Sequence, residues 1–355
     1  MIVKAMSDVI AEYRELETRI LAAIREESDE AECDPLWLEV FRFQRRWNQP
    51  YANICATRAE PRTWREIPAA PLTAFKRTAL SVVPAKLVAK TFLTSGTTGE
   101  SPGTHHFFDT RLYEYSVQYG WARLGLPPRP RFVLIANEAD APRSSLSHMM
   151  LALGINAGSQ RYFLDADGRL RFEELENALE EKIAAAKPVA LLGTALVFLN
   201  LFEQLDRRRF ILPAGSFAME TGGYKGRSRS LTQEELHSLI AGRLGVRRDH
   251  IVCEYGMSEL SSQAYDTAIG PSRNTQQATR RFRFPPWARV QIISPETGRE
   301  VAEGETGLIR VYDLANVASV LAVQTEDLGI RRGDAFEFIG RAAAAEARGC
   351  SLMTA

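Results

Sequence analysis

Pro188-Val-Ala-Leu-Leu-Gly-Thr194 is an apolar run of strand length, closed by a polar residue. A strand buried on both faces reads as such a continuous run, not as an alternation. Residues 169–187 before it carry the charge-rich pattern of a helix. After it, Phe217–Thr221 is another short apolar strand, ending at Gly222-Gly223. Thr232 with Glu235 is a capping-box signature, and the helix it opens stops near Gly245. Residues 250–254 form the next strand. Upstream, residues 131–137 read as a strand and 144–153 as a helix. From residue 90 onward, strands and helices alternate, which predicts an α/β fold with a mainly parallel sheet. Ligands of such sheets bind at the carboxyl ends of strands, and each polar motif below is expected just after one.

Ahead of this core, residues 5–28 read as an amphipathic helix with Ile10, Tyr13, Ile20 and Ile24 on one stripe. Asp34-Pro35 is expected to open a second helix, Asp34 as cap and Pro35 in the first turn. Leu36, Val40, Phe43 and Trp47 give it an apolar face. Together these make an N-terminal helical cap over residues 1–70. Pro61, Pro68, Pro71 and Pro84 mark an irregular crossing in which Phe75-Lys76 reads as structural. The α/β core spans 71–285. From Trp287 the style changes: 289–293, 307–312 and 319–323 are β-rich, with a turn at Pro295-Glu-Thr-Gly298. Residues 286–340 are thus expected to form a small antiparallel or barrel-like β-rich subdomain, and 341–355 a tail carrying Cys350.

A chain of 355 residues is one large domain with appendages, or two domains. Its 45% hydrophobic and 25% charged content is that of a soluble globular protein. Forty-four basic residues balance forty-four acidic ones, so charge gives no case for nucleic acid or an anionic membrane. Residues 1–15 lack the apolar core of a signal peptide. The longest apolar run, 189–202, falls short of the ~20 residues of a membrane span. Cys33, Cys55, Cys253 and Cys350 are far apart with no CxxC. That usage suits a reducing cytoplasm and argues against a zinc site or disulfide framework.

Four motifs carry chemistry. Thr94-Ser95-Gly96-Thr97-Thr98-Gly99 sets four hydroxyls among two glycines, a nest for an anion such as phosphate, or a polar turn. No Gly-Lys-Ser/Thr follows, so it is not a Walker loop. In Glu220-Thr221-Gly222-Gly223-Tyr224-Lys225-Gly226 the paired glycines permit close approach by a flat ring, and Lys225 is a mobile charge suited to phosphate or carboxylate. The alternative is a turn with a solvated lysine. In Cys253-Glu254-Tyr255-Gly256-Met257-Ser258-Glu259, Tyr255 can stack on a base, Ser258 donate to phosphate and Glu259 hold Mg²⁺. Alternatively Tyr255 is core and Glu259 a surface carboxylate. Leu260 stands where a hydrolase elbow needs glycine. In the last motif, Thr325-Glu326-Asp327-Leu328-Gly329 and Ile339-Gly340-Arg341, Asp327 and Arg341 suit ribose, or are surface charges beside a hairpin.

In this order the four motifs resemble the adenylate-forming superfamily of acyl-CoA synthetases and adenylation domains, over about residues 70–345. The resemblance implies that residues 94–99 cradle the phosphates of ATP and that Gly222 and Gly223 face adenine. Glu254, Tyr255 and Gly256 would lie on the nucleotide, Ser258 on phosphate, Glu259 on Mg²⁺, and Asp327 with Arg341 on ribose. His148 stands where relatives place a histidine near the acyl pocket; the alternative is a helix-surface histidine. Glu100-Ser101-Pro102-Gly103 replaces the Pro-Lys-Gly common in relatives. The chain stops soon after Arg341, and the superfamily's mobile C-terminal domain with its catalytic lysine is expected to be absent. One branch fits: the chain is similar to the LuxE-type acyl-protein synthetases, which carry an acylated cysteine near their C-terminus. Cys350 matches it.

Arg348, two residues from Cys350, favours the nucleophilic thiolate. Nine residues from Arg341 reach ~13 Å as helix and ~30 Å extended, enough to bring a thiol to an adenylate on one short tether. A frayed terminal cysteine is the alternative. The resulting expectation is a ligase that activates a carboxylic acid, a fatty acid by resemblance, to acyl-AMP with ATP and Mg²⁺. Lys225 would bridge carboxylate and α-phosphate. Cys350 would take the acyl group as a thioester for a partner reductase, acyltransferase or carrier protein. Transfer to CoA or a carrier's phosphopantetheine is the rival, and a non-catalytic nucleotide- or acyl-binding subunit the second. Aromatic and aliphatic residues in 113–121 and 195–202 are either an apolar pocket or ordinary core.

Overall fold

The computed structural model describes residues 2–26, 28–94, 101–155, 158–222, 231–266 and 280–342. The chain divides into two compact units. One comprises Met1–Gly120, Met257–Ala264 and Arg281–Ala355; the other Trp121–Gly256 and Tyr265–Arg280.

The second unit is the α/β element. Its strands lie in the order Gln160–Tyr162, Arg131–Leu134, Ala190–Thr194, Phe217–Thr221, Ile251–Tyr255, every neighbouring pair parallel. Ala190, Leu191 and Leu192 are fully buried, as a continuous apolar run requires. The Ala195–Leu205 helix is opened by Thr194, whose hydroxyl accepts from the Val197 N–H at 3.2 Å. Its Phe198, Leu201, Phe202 and Leu205 pack in one core with Leu236, Ile240 and Leu244 of the Gln233–Leu244 helix. Residues 195–202 thus serve chiefly as core. The Gln233–Leu244 helix carries the expected Thr232/Glu235 capping box and ends on Gly245 at φ 66°. Trp121 packs edge-on to Tyr265 and tilted against Phe217. The Gln160–Tyr162 strand was not legible: three residues give too short a pattern.

The first unit holds an antiparallel meander of Ala288–Ile293, Thr306–Asp313, Ala322–Arg332 and Ala335–Arg341. Helices Ile2–Arg25, Glu30–Trp47 and Gln49–Cys55 belong to the same unit. The second of these starts a turn earlier than expected. Asp29 accepts from the Glu32 N–H while Glu32 reaches back to the Asp29 N–H, both at 2.9 Å. That capping box outweighs the loss of one helical bond at Pro35, which lies inside the helix. Asp34 instead binds Arg289 at 2.7 Å, and the Arg289 guanidinium lies over the rings of Trp37 and Trp64 at 5.3 and 5.0 Å.

Two strand expectations are corrected. Residues 319–321 are not strand: Ser319 donates to the Leu80 carbonyl at 2.6 Å, and the strand runs from Ala322 to Arg332. The first motif does not follow a parallel strand either. Lys90–Leu93 pairs antiparallel with Thr104–Phe107 in a two-stranded sheet. Among the described residues no helix is long and apolar enough to cross a membrane.

Candidate active site

In the first unit, Thr94 is buried and continues the antiparallel pair by one rung. Its N–H donates to the Gly103 carbonyl at 3.0 Å, and the Gly103 N–H donates to its hydroxyl at 2.9 Å. A Cβ on Gly103 would sit 2.8 Å from the Phe75 carbonyl oxygen and 2.9 Å from Thr94 Oγ1, so only glycine permits this approach. Ser95, Gly96, Thr97, Thr98 and Gly99 lie outside the described residues.

Residues 257–264 belong to the same unit and are neither helix nor strand over Met257–Gln263. Their backbone must therefore find partners among side chains. The Ser258 carbonyl binds His105 Nδ1 at 2.8 Å, which fixes that nitrogen as the one bearing hydrogen. The Glu259 carbonyl accepts from Asn316 Nδ2 at 2.9 Å. The Ser261 and Ser262 N–H groups both donate to Asp313 Oδ2 at 2.8 Å, and the Ser262 hydroxyl donates to Oδ1 at 2.7 Å. Burial pushes His105 down to about 4, against the opposing Ser258 carbonyl, so the ring is neutral near pH 7. Burial pushes Asp313 up to about 6 despite these donors. Ser258 is half-buried and Glu259 buried, not a surface carboxylate. His105, Asp313 and Asn316 were not singled out by sequence. Their partners stand about 50 residues or more away in the chain, so no local pattern betrays them.

Asp327 and Arg341 face each other across neighbouring antiparallel strands, with Arg341 Nε 3.7 Å from Asp327 Oδ1. Two motif pieces fourteen residues apart thus form one acid–base pair, Asp327 buried and Arg341 exposed. Thr325 Oγ1 accepts from the Asp327 N–H at 3.1 Å and donates to the Ile309 carbonyl at 2.7 Å, which fixes the strand there.

In the second unit, Thr221 and Glu254 are register partners at the ends of adjacent parallel strands, and the Thr221 hydroxyl donates to Glu254 Oε2. Burial, with the charge of Glu220 nearby, pushes Glu254 up to about 7. Tyr255 is buried and Gly256 exposed just past the strand end. Gly222 adopts φ 71°, a conformation that favours glycine. Gly223 and Lys225 lie outside the described residues, as does Cys350. His148 is buried on the Ser145–Gly154 helix, with Nδ1 3.7 Å from a Glu138 oxygen, so it is not a helix-surface histidine.

A family model described as acyl-protein synthetase, LuxE matches residues 7–355. The long-chain-fatty-acid–luciferin-component ligase of Aliivibrio fischeri is 23% identical over 344 residues, covering 91% of this chain and 87% of that protein. A protein of the same description from Vibrio harveyi is 23% identical over 181 residues, 47% of this chain and 45% of its own. Among solved structures, 2-hydroxyisobutyryl-CoA ligase with 2-HIB-AMP and CoA matches at TM-score 0.61 and 14% identity, over 88% of this chain and 76% of that one. ATP-bound MatB from Rhodopseudomonas palustris matches at TM-score 0.52 and 16% identity. It covers 73% of this chain, which spans about half of MatB's length (49%). These likenesses show the fold of adenylate-forming enzymes.

Proposed function

The chain belongs to the acyl-protein synthetase LuxE family, and on that premise we propose that this ATP-dependent ligase activates a long-chain fatty acid to acyl-AMP and then holds the acyl group on its own Cys350. The observation that carries the reading is the extent of the family match, which takes in the four nucleotide motifs and Cys350 alike. The relatives' descriptions supply the substrate class, a long-chain fatty acid.

In the first step a fatty-acid carboxylate oxygen attacks the α-phosphorus of ATP and pyrophosphate leaves. Thr94 with the hydroxyls and N–H groups of residues 95–99 would hold the phosphates, and Ser258 would donate to them. Glu254, Tyr255, Gly256, Gly222 and Gly223 would contact the adenine side. Asp327 and Arg341 support a ribose role by their pairing, since an acceptor beside a donor suits two vicinal hydroxyls. His148, buried beside Glu138, would face the acyl chain. Lys225 would bridge the carboxylate and the α-phosphate.

Glu259 fits a magnesium site. Among the described residues no three His, Cys, Asp or Glu side chains cluster as a metal cage. Mg²⁺ commonly takes one or two carboxylates and fills its shell with phosphate oxygens and water. Glu259 supplies one such carboxylate on a backbone fixed by Asn316. Bound Mg²⁺ would neutralise charge on the phosphate oxygens.

In the second step the Cys350 thiolate attacks the acyl carbonyl, a thioester forms and AMP leaves. A partner reductase, acyltransferase or carrier protein would then collect the acyl group. Incubation with labelled tetradecanoic acid, ATP and Mg²⁺ tests the reading. Hydroxylamine-labile label should remain on the denatured wild-type chain and be lost in Cys350→Ser, which still releases pyrophosphate. Label that appears only on added CoA would refute the Cys350 step.

A further inference from the structure

We propose that His105, Asp313 and Asn316 are positioning residues, which lock the backbone of residues 258–262 so that Ser258 and Glu259 meet the nucleotide in one fixed geometry. The inference rests on the reading above and concerns side chains that no motif contains.

Five consecutive residues without helix or strand would ordinarily be free to shift. Here Ser258, Glu259, Ser261 and Ser262 are each tied by a backbone group to a buried side chain. The ties come from two directions. His105 stands on the strand that begins at Thr104, two residues from Gly103, the partner of Thr94. One short stretch therefore holds both the start of the first motif and the Ser258 carbonyl. Asp313 ends the Thr306–Asp313 strand, whose neighbour Ala322–Arg332 carries Asp327. The meander that sets the Asp327–Arg341 pair thus also holds Ser261 and Ser262, and the Leu314–Asn316 turn that follows it holds Glu259.

Asp313 and Asn316 are both fully engaged. Asp313 accepts from the Ser261 and Ser262 N–H groups, the Ser262 hydroxyl and the Ala315 N–H at 3.0 Å. Asn316 spends one amide hydrogen on the Glu259 carbonyl and the other on the Val320 carbonyl at 2.8 Å, while its oxygen accepts from the Ser261 hydroxyl at 3.2 Å. Gln44 holds the next layer, donating to the Asn316 carbonyl at 2.9 Å. A site built this way is fixed by supporting hydrogen bonds before any ligand arrives.

The test separates a donor from a filler. His105 packs against Phe75 and Phe107 with ring centroids 6.2 and 4.1 Å away. His105→Leu keeps apolar volume there but has no donor. His105→Asn loses volume but can present an amide hydrogen where Nδ1–H stood. Mg²⁺-dependent pyrophosphate release from full-length protein, with ATP and tetradecanoic acid, is the assay. A positioning role predicts that His105→Leu loses about 100-fold in kcat, with a several-fold higher half-saturating Mg²⁺ and a tetradecanoate KM within about 2-fold. His105→Asn should keep kcat within about 10-fold of wild type. Asn316→Asp, which loses the donor to Glu259, should share the His105→Leu signature. An active His105→Leu beside an impaired His105→Asn would mark a packing role and overturn the proposal. So would a loss in tetradecanoate KM as large as that in kcat. Should Asn316→Asp fail to fold, the two His105 variants decide alone. A wild-type chain that releases no pyrophosphate with any fatty acid overturns the proposed function, and this inference with it.

Discussion

His105 and Asp313 sit in one buried polar cluster and are shifted in opposite chemical senses. The imidazole is held at about 4 by burial, countered by the Ser258 carbonyl and helped by His106. In the unfolded chain a histidine titrates near 6.5. The unfolded state therefore binds more protons than the native state between about pH 6.5 and 4, and this contribution to stability is lost as pH falls through that window. Its full size is on the order of 3 kcal/mol. Asp313, raised to about 6, acts the other way: its contribution is present below about pH 4 and lost as pH rises through 6. The two offset each other in wild type, so the comparison that isolates histidine is with His105→Asn. Its stability deficit should shrink by roughly 2–3 kcal/mol between pH 7 and 4.5, read by urea denaturation. Gly103 gives a second residue-scale prediction. Gly103→Ala forces a methyl onto the Phe75 carbonyl and Thr94 Oγ1 and should cost about 1–3 kcal/mol, together with a raised ATP KM in the pyrophosphate assay.

Among elements, helix ends were the most legible feature where their signals are local. Thr232, Glu235 and Gly245 mark both ends of one helix within fourteen residues, and the structure places them so. The same rule misled at Asp34-Pro35, because Asp29 and Glu32 three residues apart form an equally good box one turn earlier. Asp29→Ala should destabilise the protein by about 1 kcal/mol, whereas Asp34→Ala should instead weaken the hold on Arg289. Thermal denaturation of both variants checks the assignment. The Ala190–Thr194 and Phe217–Thr221 strands were legible because both are buried and open on apolar runs, whereas Gln160–Tyr162 is too short and too exposed to show one. The Ala322–Arg332 strand was not placed correctly. Its buried positions include Thr325 and Asp327, whose burial is decided by partners such as Ile309 rather than by their own polarity.

For the whole molecule, the order of four motifs was enough to indicate the fold, but not what supports the motifs. Glu259, which its chemistry alone leaves as a metal ligand or a surface carboxylate, is buried, and Asn316, 57 residues away, holds its carbonyl. No periodicity encodes such a contact. A nucleotide that binds only the native chain stabilises it by mass action, about 2.7 kcal/mol at one hundred times its dissociation constant. ATP with Mg²⁺ should thus raise the denaturation midpoint, and Glu259→Gln should abolish the extra shift that Mg²⁺ adds to ATP alone. An equal Mg²⁺ increment in both proteins would count against Glu259 as the metal ligand. The indoles offer a way to follow each unit separately. Trp37, Trp47, Trp64 and Trp287 all belong to the first unit, and Trp121 alone to the second. Intrinsic fluorescence is consequently a lopsided reporter: Trp121→Phe leaves an emission signal from the first unit only, while a chain retaining Trp121 as its single fluorophore reports on the other.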